Sequence, residues 1–410
     1  LVARTWRDSR PYRCDYDGCA GYLVAVGDDV VKLTVLGATG SIGCSTADVM
    51  LQHPDKFSAF ALVGHRNAAK MQQLAEQLKP EWVVMTDETA AADLKGKLPA
   101  GSKLEAGMDA ATALASSTET DMVMAAMVGS AGLPATLAAV QAGKRVGLAN
   151  KGCLVTAGRI FMDAARLSGA DVVPVDSEHA AVHQCLHGHD HGSVSQVVLT
   201  ASGGPFRDRD PATLARVTPE EAIAHPNWDM GAKISVDSAT MMNKALELIE
   251  ARWLFDLPPE KLSAIIHPES IIHAMVEYDD GSVLAQLAMP DMRMPIAYAM
   301  QAEPRLSTGI PWLDLAKTGS LNFQEIDTQR FPAMQLVQDV LQGEDSRSIA
   351  LNAANAGANA AFRERRIAFT DIVSTVEKVL DRVENIPVAL LNDVWLHDER
   401  ARRLANEVIS

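Results

Sequence analysis

From Lys32 onward, short apolar runs alternate with stretches of helical periodicity. Leu33-Thr34-Val35-Leu36 has strand length and leads straight into Gly37-Ala38-Thr39-Gly40-Ser41-Ile42-Gly43, after which Ala47, Val49 and Met50 follow a helical pattern. Phe60–Val63, Trp82–Met85, Met122–Val128, Val146–Ala149 and Val172–Val175 are further strand-length runs separated by helix-length segments. Strands alternating with helices predict parallel βαβ units, hence an α/β fold with a doubly wound, Rossmann-like sheet over 31–175. The texture then changes. Ser195–Ser202 and Ala264–Gln286 hold alternating, turn-bounded runs that read as an antiparallel sheet with one solvated face, part of an α/β middle domain over 176–305. After a linker over 306–330 only helical periodicity remains. Ile372, Val373, Val376, Val379, Leu380 and Val383 share one helix face, with Thr370 or Asp371 as N-cap, predicting a helical bundle over 331–410.

Composition narrows the function. The 410 residues carry 37 basic and 52 acidic side chains, a net charge of −15, which disfavours nucleic acid as a partner because phosphate-backbone recognition needs concentrated Lys and Arg. The uncharged stretch 122–140 approaches membrane-span length, but Gly129, Gly132 and Pro134 divide it into a buried strand, a turn and an Ala-rich helix, so no membrane role is expected. Residues 1–30 lack the apolar region of a secretory signal and read as an extension outside the chemistry. Cys14, Cys19, Cys44, Cys153 and Cys185 are odd in number and scattered, which fits free thiols in a reducing, cytoplasmic setting.

A strand, a G-x-x-G-x-x-G turn and a helix form the context in which a glycine motif points to a dinucleotide. Glycines allow close backbone approach, and the pyrophosphate sits on the amides of the helix start. Enzymes that use NAD usually place a carboxylate at the end of the second strand. Here that point reads Val63-Gly64-His65-Arg66-Asn67, with no carboxylate and an arginine able to pair a 2′-phosphate, which favours NADP and makes 31–175 the NADP-binding domain.

The middle domain supplies acids and phosphate donors. Asp176-Ser177-Glu178 follows the Val172–Val175 run, and at a strand end residues i and i+2 point to one side, so both carboxylates are expected to converge there. All-oxygen ligation selects a hard ion such as Mg²⁺ or Mn²⁺. Downstream, Asn243 and Glu247 are i, i+4 on a helical pattern that also holds Lys244, and Ser238 precedes it. Ser202 on a Gly-Gly turn, His225 and the large apolar Trp228 complete a set suited to a phosphorylated, hydroxylated small molecule. His179, His183, Cys185, His187, His189 and His191 could in principle bind zinc, but an exposed polar loop is the better reading.

These segments carry a resemblance. GATGSIG, LANK, PVDSEH, ASGGPF, HPNW, GAKISVDSATMMNK with its trailing Glu, and HPESIIHAM with DGSVLAQ resemble the 1-deoxy-D-xylulose 5-phosphate reductoisomerase family, in order along roughly nine-tenths of the chain. The resemblance implies that Asp176, Glu178 and Glu247 bind the divalent metal, and that Lys151 and Ser177 contact the metal-bound end of the substrate. It implies a phosphate site of Ser202, His225, Ser238, Asn243 and Lys244, with Trp228 on a mobile flap over 202–233. Thr39, Gly40, Ser41, Ile42, Gly64, Arg66, Asn67, Asn150 and Gly231 fall at its cofactor positions. The implied activity is NADPH- and metal-dependent rearrangement and reduction of the pentulose phosphate to 2-C-methyl-D-erythritol 4-phosphate, by a homodimer of non-mevalonate isoprenoid synthesis. The chain departs from the family pattern at Gly152 and Ala356 (usually Glu), Ala180 (usually Asn) and Ala245 (usually Gly). Two rivals stand beside this reading: a plain NADP-dependent dehydrogenase with no rearrangement or metal, and a catalytically impaired nucleotide-binding homologue.

Overall fold

The computed structural model describes residues 30–228, 230–301 and 303–410; the N-terminal extension with Cys14 and Cys19 lies outside the described residues. Seven strands form one parallel sheet: β1 (Val31–Leu36), β2 (Phe57–Gly64), β3 (Trp82–Met85), β4 (Lys103–Ala106), β5 (Met122–Ala125), β6 (Arg145–Leu148) and β7 (Val172–Pro174). Their order is β4-β3-β2-β1-β5-β6-β7. The direction of winding therefore reverses between β1 and β5, and a crevice opens at their C-terminal ends, where such sheets bind ligands. Helices cover both faces, so the central strands are near-continuous apolar runs; Leu33, Leu36, Val63, Val123 and Met124 are fully buried. Each such side chain contributes about 1.5–3 kcal/mol of hydrophobic stabilisation.

In the sheets, two features differ in kind from the sequence reading, and β5 stops at Ala125, short of the expected Val128. β4 (Lys-Leu-Glu-Ala) is an exposed edge strand with little apolar content, so hydrophobicity alone does not mark it. The second sheet, β8 (Val194–Ala201), β9 (Leu262–Ile266), β10 (Ile272–Tyr278) and β11 (Val283–Leu287), is mixed rather than purely antiparallel. Its order is β11-β10-β8-β9, with β10 antiparallel to both neighbours and β9 parallel to β8. The parallel pair follows from the long excursion between β8 and β9, which contains helices Ala232–Ala239 and Met242–Leu254 and so supplies a crossover.

The C-terminal part is helical: Ala333–Leu341, Asp345–Arg363, Asp371–Leu380 and Leu391–Ile409. Asp371–Leu380 buries Ile372, Val373, Val376, Val379 and Leu380 as the spacing predicts, but the helix ends before Val383, which is half-buried in the following turn. Helix Asp345–Arg363 is central. Its alanines allow close packing against Leu391–Ile409 on one side and Lys151–Ser168 on the other, which ties the bundle to the rest of the molecule.

Candidate active site

The glycine turn is built by steric exclusion. Gly37 has φ +84°, and a Cβ there would lie 2.5 Å from the Ala126 carbonyl oxygen at the end of β5; a Cβ on Gly43 would lie 2.4 Å from the Gly37 oxygen. Side chains are thus forbidden where β1 meets the reversal point. Gly40 caps helix Ser41–Gln52 with no side-chain hydrogen bond and no acidic residue in the first turn, so the helix amides remain available to an anion. Around this turn the other expected cofactor residues serve local structure. Asn67 caps helix Ala68–Leu78 through the Lys70 amide at 3.0 Å. Asn150 caps helix Lys151–Ser168 through the Gly152 amide at 3.1 Å and donates to the Gly129 carbonyl at 2.8 Å. Arg66 is well exposed past β2, and its Nε lies 3.1 Å from Asp87 Oδ2. Thr39 packs towards Gly64, where its methyl would be 3.3 Å from an added Cβ.

The three carboxylates converge, by a geometry other than the strand alternation expected. β7 ends at Pro174; Asp176 is the N-cap of helix Ser177–Leu186, accepting from the Ser177 amide at 3.2 Å, and Glu178 sits in its first turn. Glu247 comes from helix Met242–Leu254, one turn beyond Asn243. One oxygen from each of Asp176, Glu178 and Glu247 lies within 4.8 Å of the others. Lys151 Nζ stands 2.7 Å from Asp176 Oδ2 and 3.2 Å from Glu247 Oε1, and donates to Asn243 Oδ1 at 2.9 Å. Lys244 Nζ lies 2.7 Å from Glu178 Oε1 and also contacts Glu247 Oε2, while Asn243 donates to Glu247 Oε1 and Ser177 Oγ to Glu178 Oε2 at 2.5 Å.

This arrangement sets the protonation of each acid. Burial pushes Glu247 up to about 7, reinforced by Glu178 and only partly countered by Lys244 and Lys151. At Asp176 burial is overridden by Lys151 and His179, which hold the carboxyl at about 2. Burial likewise opposes ionisation of Glu178, but Lys244 keeps it below the usual range. Lys244 is buried and Lys151 largely so; burial works against their charge, but the facing carboxylates raise both above their ordinary values. Three converging hard oxygen donors with ammonium groups on two sides match the donor set of a divalent cation such as magnesium.

A sharp corner joins this cluster to its donors. Met241, buried, adopts the left-handed conformation (φ 61°, ψ 7°) between helices Ala232–Ala239 and Met242–Leu254, so Ser238 before it and Asn243 and Lys244 after it line one cavity. That cavity, about 180 Å³, reaches from Ser41 and Ile42 of the glycine turn to the carboxylates. Ser202, His225, Trp228 and Gly231 line it as well, whereas Thr39, Gly40, Gly64, Arg66, Asn67 and Asn150 do not. His225 Nδ1 accepts from the backbone amides of Asn227 (3.2 Å) and Trp228 (3.0 Å), so Nε2 carries the proton and donates to Ser202 Oγ at 2.9 Å. The Gly204 amide also donates to Ser202 Oγ, at 3.1 Å. With both lone pairs engaged, the Ser202 hydroxyl must donate elsewhere. Asn227 anchors this segment on Pro268 and Ser270, at 2.6 and 2.9 Å.

Sequence reasoning missed His273 and Ser270. His273 lies in β10 and lines the cavity with its Nε2 lacking a hydrogen-bond partner among the described residues; burial lowers its pKa. The available signal was a histidine inside an otherwise apolar strand. The histidine-rich segment is also not one loop: His187 and His189 are exposed, but His179 is fully buried and His183 Nδ1 meets the Tyr298 hydroxyl at 2.7 Å.

Comparison with known proteins adds an independent line. The family model described as 1-deoxy-D-xylulose 5-phosphate reductoisomerase matches residues 33–158, and two models of C-terminal domains of that enzyme match 172–255 and 287–404. The chain is 52% identical over 387 residues to 1-deoxy-D-xylulose 5-phosphate reductoisomerase of Ralstonia pickettii, covering 93% of this chain and 98% of that one. Against the Burkholderia lata enzyme of the same name it is 51% identical over 384 residues, covering 92% and 96%. Among solved structures, the reductoisomerase from Zymomonas mobilis in complex with NADPH superposes with a TM-score of 0.87 at 43% identity, covering 93% of this chain and 100% of that one. A reductoisomerase in complex with NADPH, fosmidomycin and magnesium gives 0.88 at 38%, covering 93% and 98%.

Proposed function

Because the chain belongs to the 1-deoxy-D-xylulose 5-phosphate reductoisomerase family, we propose that the cavity described above is its active site, with Asp176, Glu178 and Glu247 as metal ligands. The protein rearranges and reduces 1-deoxy-D-xylulose 5-phosphate to 2-C-methyl-D-erythritol 4-phosphate, using NADPH and a divalent metal. When bound, magnesium or manganese supplies Lewis acidity towards the substrate carbonyl and neighbouring hydroxyl, and NADPH supplies the hydride. The protein's own groups do the rest. Lys151 and Lys244 keep Asp176 and Glu178 ionised and aimed at one point. Ser202, whose hydroxyl is left as a donor, joins His225, Ser238, Asn243 and Lys244 around the phosphate. Trp228 covers the pocket and excludes water from the reacting carbons, and phosphate binding remote from those carbons favours that closure. On the cofactor side, the amides of Gly40, Ser41 and Ile42 would hold the pyrophosphate of NADPH, with Thr39, Gly64 and Asn67 as further cofactor-binding residues. Arg66, exposed and paired with Asp87, would bind the 2′-phosphate, and Asn150 and Gly231 would contact the cofactor as well.

The observation that carries this reading is the continuity of one cavity from the glycine turn to three carboxylates. Of the departures from the family pattern, Gly152 lies against the Asn150 cap, where an added Cβ would be 3.0 Å from Oδ1. The Asn150 cap itself is intact. Ala180 and Ala245 are fully buried within their helices. We read the protein as a homodimer of the non-mevalonate isoprenoid route. An exposed edge strand β11 and the exposed Trp312, Leu315 and Phe323 support a partner surface. No helix among the described residues is long and apolar enough to cross a membrane. The free thiols Cys44, Cys153 and Cys185 and the acidic composition support a cytoplasmic setting. The test is NADPH oxidation with 1-deoxy-D-xylulose 5-phosphate, with and without EDTA. Chelation is expected to abolish turnover and added magnesium to restore it; turnover indifferent to EDTA would favour a plain dehydrogenase instead.

A further inference from the structure

A buried polar cluster outside the cavity is left unused by this chemistry. Asp237, in helix Ala232–Ala239, is 1% exposed. Its Oδ1 accepts from Asn355 Nδ2 at 2.9 Å and Asn359 Nδ2 at 2.8 Å, and its Oδ2 lies 2.6 Å from Lys233 Nζ. Asn359 Nδ2 also reaches the Lys233 carbonyl at 2.9 Å, and Asn359 Oδ1 accepts from Arg363 at 2.9 Å. Asn355 and Asn359 stand one turn apart on helix Asp345–Arg363, and both are fully buried.

Apolar packing would suffice to hold two helices together, and it is present here: Val236, Ala239, Phe206, Ala358 and Phe362 share one cluster. A carboxylate and two amides placed inside such a cluster cost desolvation and add direction, fixing rotation and register where apolar contacts alone would allow sliding. The fixed helix is also the one that matters to the pocket. Ser238 is the next residue after Asp237, Lys233 ends the flap segment, and Gly231 is the N-cap. The opposite end of the flap rests on the same helix, since a Cβ on Gly204 would lie 2.9 Å from the Ser238 carbonyl oxygen.

We propose that Asp237, Asn355 and Asn359 are positioning residues, by which the C-terminal bundle sets the orientation of Ser238 and gives the flap a fixed hinge at Gly231. This rests on the reading of Ser238 as a phosphate contact. The experiment compares Asn359→Leu and the milder Asp237→Asn with Val376→Ala, a bundle-core change away from the network, and with Ser238→Ala. The readouts are KM for 1-deoxy-D-xylulose 5-phosphate, kcat, NADPH affinity and melting temperature. Both network variants are expected to raise KM about tenfold with kcat within about threefold and NADPH affinity unchanged. Val376→Ala lowers the melting temperature without moving KM. The swapped pair Asp237→Asn with Asn359→Asp, which restores one carboxylate–amide bond, recovers part of the lost KM. Equal KM changes in Val376→Ala, or an unchanged KM in Asp237→Asn beside a raised KM in Ser238→Ala, would overturn the proposal. An unchanged KM in Ser238→Ala would instead remove the phosphate reading beneath it.

Discussion

The two halves of the cavity are made of different materials. At the glycine turn, the proposed cofactor contacts are backbone groups: Gly37 and Gly43 leave no room for side chains, the start of helix Ser41–Gln52 has no capping side chain, and nearby polar side chains are occupied with capping. At the carboxylate cluster the proposed contacts are charged side chains carried on helix starts and helix bodies, with Asp176, Glu178 and Glu247 interleaved with Lys151 and Lys244. The first half has no room for added atoms at Gly37 or Gly43. The second tolerates neither the loss of a charge nor an unbalanced one, because each carboxylate's ionisation is set by its neighbours.

Substitutions sharpen this contrast. The largest effect is expected from Glu247→Gln, which removes the carboxylate we propose as a central metal ligand and the partner of both lysines. Turnover should fall by about 10³ or more, and titration calorimetry should show magnesium binding lost while NADPH binding persists. Retained magnesium affinity would break the contrast. Next comes Gly37→Ala, one added carbon where the Ala126 oxygen would lie at 2.5 Å and φ is +84°. It should cost about 2–4 kcal/mol of stability in denaturant titration and weaken NADPH, with magnesium affinity nearly unchanged in the folded fraction.

The smallest effect concerns Glu250, fully buried with neither oxygen hydrogen-bonded among the described residues; burial pushes it up to about 7, with Asp176 and Glu247 adding to the shift and His179 opposing it. A carboxyl raised in the folded state binds its proton more tightly there than when unfolded. Its contribution to stability therefore declines as pH rises from the unfolded value of about 4.5 to about 7, then stays constant. Glu250→Gln should accordingly gain stability relative to the parent by about 1–3 kcal/mol more at pH 8 than at pH 4.5, measured by thermal unfolding of the metal-free protein. A pH-independent difference would show that Glu250 ionises freely in the folded state.

Much of this was legible in the chain because the relevant forces are local. Apolar runs interrupted by helical periodicity specify the parallel sheet, and the glycine spacing marks its reversal point. The acids and phosphate donors were recognisable by type, and family resemblance supplied their pairing. What escaped depended on distant chain. The polar edge strand β4 forms only because β3 offers it a partner, and β9 runs parallel to β8 because of the crossover between them. Asp176 and Glu178 meet through a helix start rather than a pleat, since Pro174 and the capping carboxylate end the strand early. His273 escaped because its strand reads as plain core until the cavity beside it is known.

The grip on Asp237 has a temporal consequence. Its partners Asn355 and Asn359 lie 118 and 122 positions downstream. The helix that carries Ser238 therefore gains this anchor only when helix Asp345–Arg363 has been made and docks on it. The sheet waits as well, since its core includes Ile296–Met300 from far downstream, so pocket and cofactor crevice take their final form together, late in synthesis.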